Sequence, residues 1–212
     1  SNAGTNGVSG SLTFQSGTSS CGTTGYILVA SGKAVGGKGG DIIISVGSGT
    51  HNNGGNIEIL AGETTAQNSA GGEVAIKGGF GSNSVGGKGG QSTISGGDGN
   101  GGTGGSVSIV SGSSSISSSG SVLMASSNSG TVGVSGSLSS QTGTTSSGAS
   151  GGITMATGRS TSGQAGDINI SVGSGNVGQG GNIALSSGDN TNLSGGNIAI
   201  FSGQGTMSTS GT

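Results

Sequence analysis

A short pattern recurs along the chain and limits what it can fold into: Gly, any residue, an aliphatic, any residue, an aliphatic, and another Gly three residues on. The first aliphatic position falls at Leu12, Ile27, Ile42, Ile57, Val74, Ser92, Val107, Val122, Leu138, Ile153, Ile168, Ile183 and Ile198. Successive spacings are 15 residues, apart from three of 17, 18 and 16. Thirteen units therefore fit, and the second position, from Phe14, Val29, Ile44 and Ile59 to Ile200, is almost wholly apolar.

Alternation of apolar and other residues over five or six positions is the period of a strand, not of a helix. Each unit is expected to hold one short strand with both aliphatics on the same side. Glycines such as Gly40 and Gly47 bracket it where a Cβ would obstruct the turn. Such a unit cannot stand alone. Two or three aliphatics contribute about 1.5–3 kcal/mol each when buried, against about 1–2 kcal/mol of backbone entropy for every residue ordered. In repeat proteins the deficit is met by stacking on neighbours. The expected fold is all-β: a single parallel β-solenoid (β-helix) of about 13 coils around a narrow aliphatic core.

The return half of each unit adds weaker signals. Cys21, Val35, Ala66, Ile116, Val132, Val177, Leu193 and Met207 are expected to form the opposite wall of a flattened coil. Ser31, Ala61, Ser111 and Ser187, four residues after the first aliphatic, are expected to fit its tapering corner. Ile44 and Ile59 must then share one dry seam.

The units are not equally related. GDIIISVGSG at 40–49 returns as GDINISVGSG at 166–175, and GVSGSLTFQSG at 7–17 returns as GVSGSLSSQTG at 133–143. The shift of 126 residues is eight periods plus the inserted residues, so a block of eight units is written twice. Residues 1–3, SNA, resemble the scar of a cleaved expression tag. The rest, 4–212, is expected to be one repeat domain: an eight-coil block at 7–132 and a partial second copy at 133–212, cut from a longer array.

Repeats such as GGNIALSSG at 180–188 and GGNIAIFSG at 195–203 resemble the Gly/Ser-rich short-coil β-solenoid segments of surface adhesins and tail-fibre-like proteins. That resemblance implies an extended stalk or adhesive surface with no shared catalytic residues. It is a likeness of class, not of one family.

Composition excludes several alternatives. Gly is 55 of 212 residues, Pro is absent and charged residues are 6%, so neither a collagen period nor the charge- and Pro-rich make-up of disordered chains is present. Five basic residues and a net charge of −2 give no footprint for nucleic acid or an anionic membrane. No run approaches the roughly 18 apolar residues of a membrane helix. One cysteine forbids an internal disulfide.

Motifs with chemical meaning are sparse. GKAVGGK at 32–38 matches the start of a phosphate-binding loop, but Gly39 stands where Ser or Thr should meet Mg²⁺. Cys21 and His51, the sole residues of their kinds, share a column two layers apart, too far to converge on one metal ion. Among the carboxylates, Glu58 and Glu73 sit on adjacent layers and read as a solvated pair. GGDGNGG at 96–102 is similar to a calcium-binding repeat but lacks its required Asp. Asp41, Asn56, Glu73, Gln91, Ser106, Asp167, Asn182 and Asn197 form a column suited to an amide ladder. Asn169 and Asn192 begin N-x-S triplets, which matter if the protein is secreted.

These observations predict no catalytic, cofactor or metal site and no enzyme. The outward positions carry small hydroxyls, but also Tyr26, Leu28, Ile43 and Leu60 on three consecutive layers. Aliphatics clustered in this way suggest a contact surface. The expected role is a structural or interaction module, a rigid spacer or adhesive stalk on an extracellular fibre or a cell or virion surface. Its rods would pack as dimers or trimers, with no nucleic acid and no membrane insertion. The alternative is a binding module whose flat strand face meets a repetitive ligand such as polysaccharide, ice or mineral.

Overall fold

The computed structural model describes residues 7–205; Met207 and the SNA triplet lie outside the described residues. The chain divides into two units, Ser1–Ile109 and Val110–Thr212. Among the described residues there is no helix and no β-strand. The expected β-solenoid is therefore not formed. What survives is the period. Bends or turns recur at 20–22, 35–37, 50–53, 66–68, 84–86 and 100–102 in the first unit, and at 115–117, 131–133, 146–148, 161–163, 176–178 and 191–193 in the second.

Calling the first aliphatic position 0, each turn lies in the return half, some eight to twelve residues on. Nine of the twelve contain a residue with positive φ, and each such residue is Gly or Asn, as at Gly36 (79°) and Asn52 (59°). Only these residue types visit that region readily. Two of the remaining turns use a side chain instead. Ser114 Oγ accepts from the N–H of Ser117 at 2.9 Å, and Asn190 Oδ1 accepts from the N–H groups of Asn192 and Leu193 at 2.8 and 2.7 Å. Short polar side chains that bond the backbone two or three residues on hold turns in this way.

The loop so formed closes at a neck of two glycines. Gly occupies position −2 in all thirteen repeats and position +5 in twelve, Ser127 being the exception. In five repeats the −2 N–H donates to the +5 carbonyl of the preceding repeat: Gly72 to Gly62, Gly90 to Gly79, Gly105 to Gly97, Gly120 to Gly112 and Gly196 to Gly188, all at 2.8–2.9 Å. Three of these bonds close a loop of eight residues; the other two, at 62–72 and 79–90, contain the insertions at 63–70 and 80–88. Extra residues therefore enlarge the loop and leave the neck in register.

No closed neck carries a branched side chain at +4, although the necks after Ser16, Ser31 and Ser126 stay open with a small one there. The closed necks carry Ala61, Gly78, Gly96, Ser111 and Ser187 there. The necks with Val46, Thr142, Thr157 or Val172 carry no such bond. Val46 Cγ1 and Val172 Cγ1 lie 2.7 Å from the positions that a Cβ on Gly55 or Gly181 would take, while Thr142 Cγ2 and Thr157 Cγ2 lie at an ordinary contact distance of 3.7 Å from those on Gly151 and Gly166. A branched side chain at +4 thus occurs only at open necks, and a small one permits closure without enforcing it. The expected corner residues thus line a neck inside one repeat.

This local closure overturns the stacked arrangement. A solenoid coil sends its backbone donors to residues one period away, but the neck N–H bonds eight to eleven residues back within its own loop. The shorter loop is the less costly one to close. No described residue is buried. Ile44 and Ile59 remain 74% and 68% exposed, so the dry seam is absent. The opposite wall fails as well: Val35 and Ile116 sit at turn tips, 93% and 97% exposed. The chain exposes 20898 Å², against about 8,500 Å² for a compact protein of this mass and about 28,000 Å² for a fully extended one.

Replacement of Ser187 by Val should open the 188–196 neck and speed exchange of the Gly196 amide, and Ser111→Val should open the 112–120 neck and speed exchange at Gly120. Each change is expected to be roughly 2- to 10-fold, the value of one net hydrogen bond. Native-state hydrogen exchange read residue by residue checks it, and unchanged rates at both glycines would refute the incompatibility of a branched +4 side chain with closure. Circular dichroism of the intact protein should show coil without a strand minimum.

Candidate functional site

The residues singled out for chemistry do not converge. Cys21 lies in the 20–22 turn as an exposed free thiol. His51 lies in the 50–53 turn, where its Nδ1 is 3.1 Å from the hydroxyl of Thr50. Among the described residues no group of three or more His, Cys, Asp or Glu side chains is placed to hold a metal ion, and no cavity is present. A reacting molecule would find no enclosed surface on which to be oriented.

The basic end of GKAVGGK has a local partner. Lys38 Nζ donates to both carboxylate oxygens of Asp41, at 2.9 and 3.1 Å, three residues along the chain. Both side chains are largely exposed, so the pair is screened by salt and adds little to stability. The lysine therefore serves an ion pair on the neck side of the repeat, and no ring of backbone N–H groups surrounds it. Asp41 is also the first member of the proposed ladder column. Among the described residues no hydrogen bond joins Asn56, Gln91, Asn182 or Asn197 to another member. Without stacked coils, side chains one period apart have no axis along which to pair.

The GGDGNGG run has a structural use. Gly96 and Gly97 form one side of a neck, Gly97 accepts the Gly105 N–H, and Gly101 turns the loop with φ of 94°. At Gly96 a Cβ would collide with the carbonyl of Gly105, so this position admits no side chain. Glu58 and Glu73 stay exposed, and no hydrogen bond joins them. Of the N-x-S asparagines, Asn169 is exposed in a bend-free segment and Asn192 is exposed in the 191–193 turn.

The suggested contact residues are accessible. Tyr26, Leu28, Ile43 and Leu60 belong to three successive repeats, and each remains about three-quarters exposed or more. The strand expected to carry them is not formed.

The feature that residue-by-residue motif reading missed is the neck itself. Its signal was present as the near-invariance of Gly at −2 and +5 between repeats. The aliphatic at position 0 is its neighbour, and it is the better covered of the two columns: Ile42 is 51% exposed. No helix is long and apolar enough to cross a membrane among the described residues. No protein-family model matches the chain, and no curated protein or solved structure is detectably similar to it.

Replacing Asp41 by Asn should remove the ion pair and leave the turn at 35–37 and the neighbouring amides unchanged. Chemical-shift mapping checks this. Shift changes spreading beyond the 32–47 repeat would assign the pair a structural role that its exposure denies.

Proposed function

We propose that the chain is a structural repeat module, a spacer or adhesive stalk belonging to an extracellular fibre or a cell or virion surface. The observation that carries this reading is the recurrence of one locally closed unit, with the same neck register at Gly62/Gly72 and at Gly188/Gly196. Where each unit closes on itself, length is set by the number of repeats, because adding a unit alters no bond inside its neighbours.

The alternative of a flat face laid against polysaccharide, ice or mineral needs a planar rank of side chains. A chain without strands in its described residues does not offer that plane. Thr is also sporadic at the outward positions, as at Thr93 and Thr154.

Insertion of one or two further copies of residues 166–180 should increase the separation of fluorophores attached at the two ends of the array, step by step with repeat number. Energy transfer between the fluorophores reads the distance. A separation independent of repeat number would defeat the spacer. Specific retention of the unmodified chain on a glycan array, or thermal hysteresis in ice, would favour the binding module instead.

A further inference from the structure

We propose that a second copy of this chain covers the aliphatic columns, so that the protein self-associates repeat against repeat. The exposed surface exceeds that of a compact protein of equal mass by about 12,000 Å², several times the roughly 1,200–2,000 Å² of a standard interface. Much of the excess is apolar, and it is ordered. Ile42, Ile57, Ile168 and Ile183 are each about half exposed. Turn-tip residues such as Val177 are almost wholly bare.

The composition selects among occupants. Five basic residues and a net charge of −2 give no attraction to a polyanion or an anionic lipid surface. Aromatics are 2% of the chain, too few to stack sugar rings at every repeat. The same low charge imposes almost no repulsion between like copies. The period completes the argument. A partner able to meet an aliphatic every 15 residues, through two units that share the spacing, must carry that spacing itself, and a second copy does so by identity. Insertions held inside the 62–72 and 79–90 loops do not disturb the match between necks.

Sedimentation velocity of the intact chain, from about 1 to about 100 µM, tests this. The expected result is a mass-action equilibrium from monomer to dimer or larger. A variant with Ile42, Ile57, Ile168 and Ile183 all replaced by Asn should weaken association at least about tenfold. A matched variant with Val35, Ile116, Val132 and Val177 replaced by Asn should associate like the parent. Both sets are exposed residues, so neither variant removes a core on which the single chain depends. A parent that stays monomeric throughout overturns the proposal, as does undiminished association of the column variant. Equal loss in the turn-tip variant also overturns it, because association would then be unspecific. A monomeric result leaves the dependence of end-to-end separation on repeat number untouched, so the spacer reading stands or falls separately.

Discussion

The neck of two facing glycines, hydrogen-bonded in five of the loops, is the constraint from which the rest follows. It brings a backbone N–H and a carbonyl within 2.9 Å, and at Gly72, Gly90 and Gly105 a Cβ would stand only 3.0–3.1 Å from the facing backbone nitrogen. Once the neck holds, the return half must reverse within about eight residues. A left-handed residue or a side-chain acceptor in the turn is then needed, and Gly, Asn or Ser supplies it. The remaining residues, from −1 to +4, carry the aliphatics. Composition, turn chemistry and periodicity thus have one origin: a quarter of the chain is Gly because each repeat spends glycines on a neck and a turn.

Much of this organisation was legible in the sequence. The 15-residue period, with bracketing glycines and a turn in each return half, is found where the pattern puts it. The error lay in the destination of the hydrogen bonds. An alternating aliphatic pair has the same sequence signature whether its donors reach the next coil or its own loop, so Ile44 and Ile59 alone did not decide between stacking and local closure. Glycine tilts the balance. At the corners it removes the side chains whose burial would reward stacking, and it permits the close approach that makes the short loop feasible. Candidate sites fared similarly: Lys38 and Asp41, met as parts of two different motifs, proved to be partners of each other.

Local closure has an energetic consequence. A coreless repeat has little to lose when its neighbour opens, so its cooperativity is low, and opening of single loops should dominate its dynamics. Half-exposed aliphatics gain a fraction of the roughly 1.5–3 kcal/mol of full burial. A covering partner would supply the remainder, and the aliphatic columns are where it would have most effect.

The inserted residues show why the loop and the aliphatic segment are not interchangeable. Enlarging a closed loop from eight to eleven residues raises its closure cost by about 0.3 kcal/mol, since that cost grows only with the logarithm of length. Placing one extra residue between positions 0 and +2 would instead turn one aliphatic to the opposite side and displace the +4 side chain from its neck. Two of the three insertions lie inside closed loops, at 62–72 and 79–90. The third falls in the repeat where Ser127 replaces the +5 Gly, and no neck bond forms there. Length variation is therefore accommodated where the chain reverses, and the spacing from Gly −2 through the aliphatic pair stays constant because both the neck and the columns depend on it.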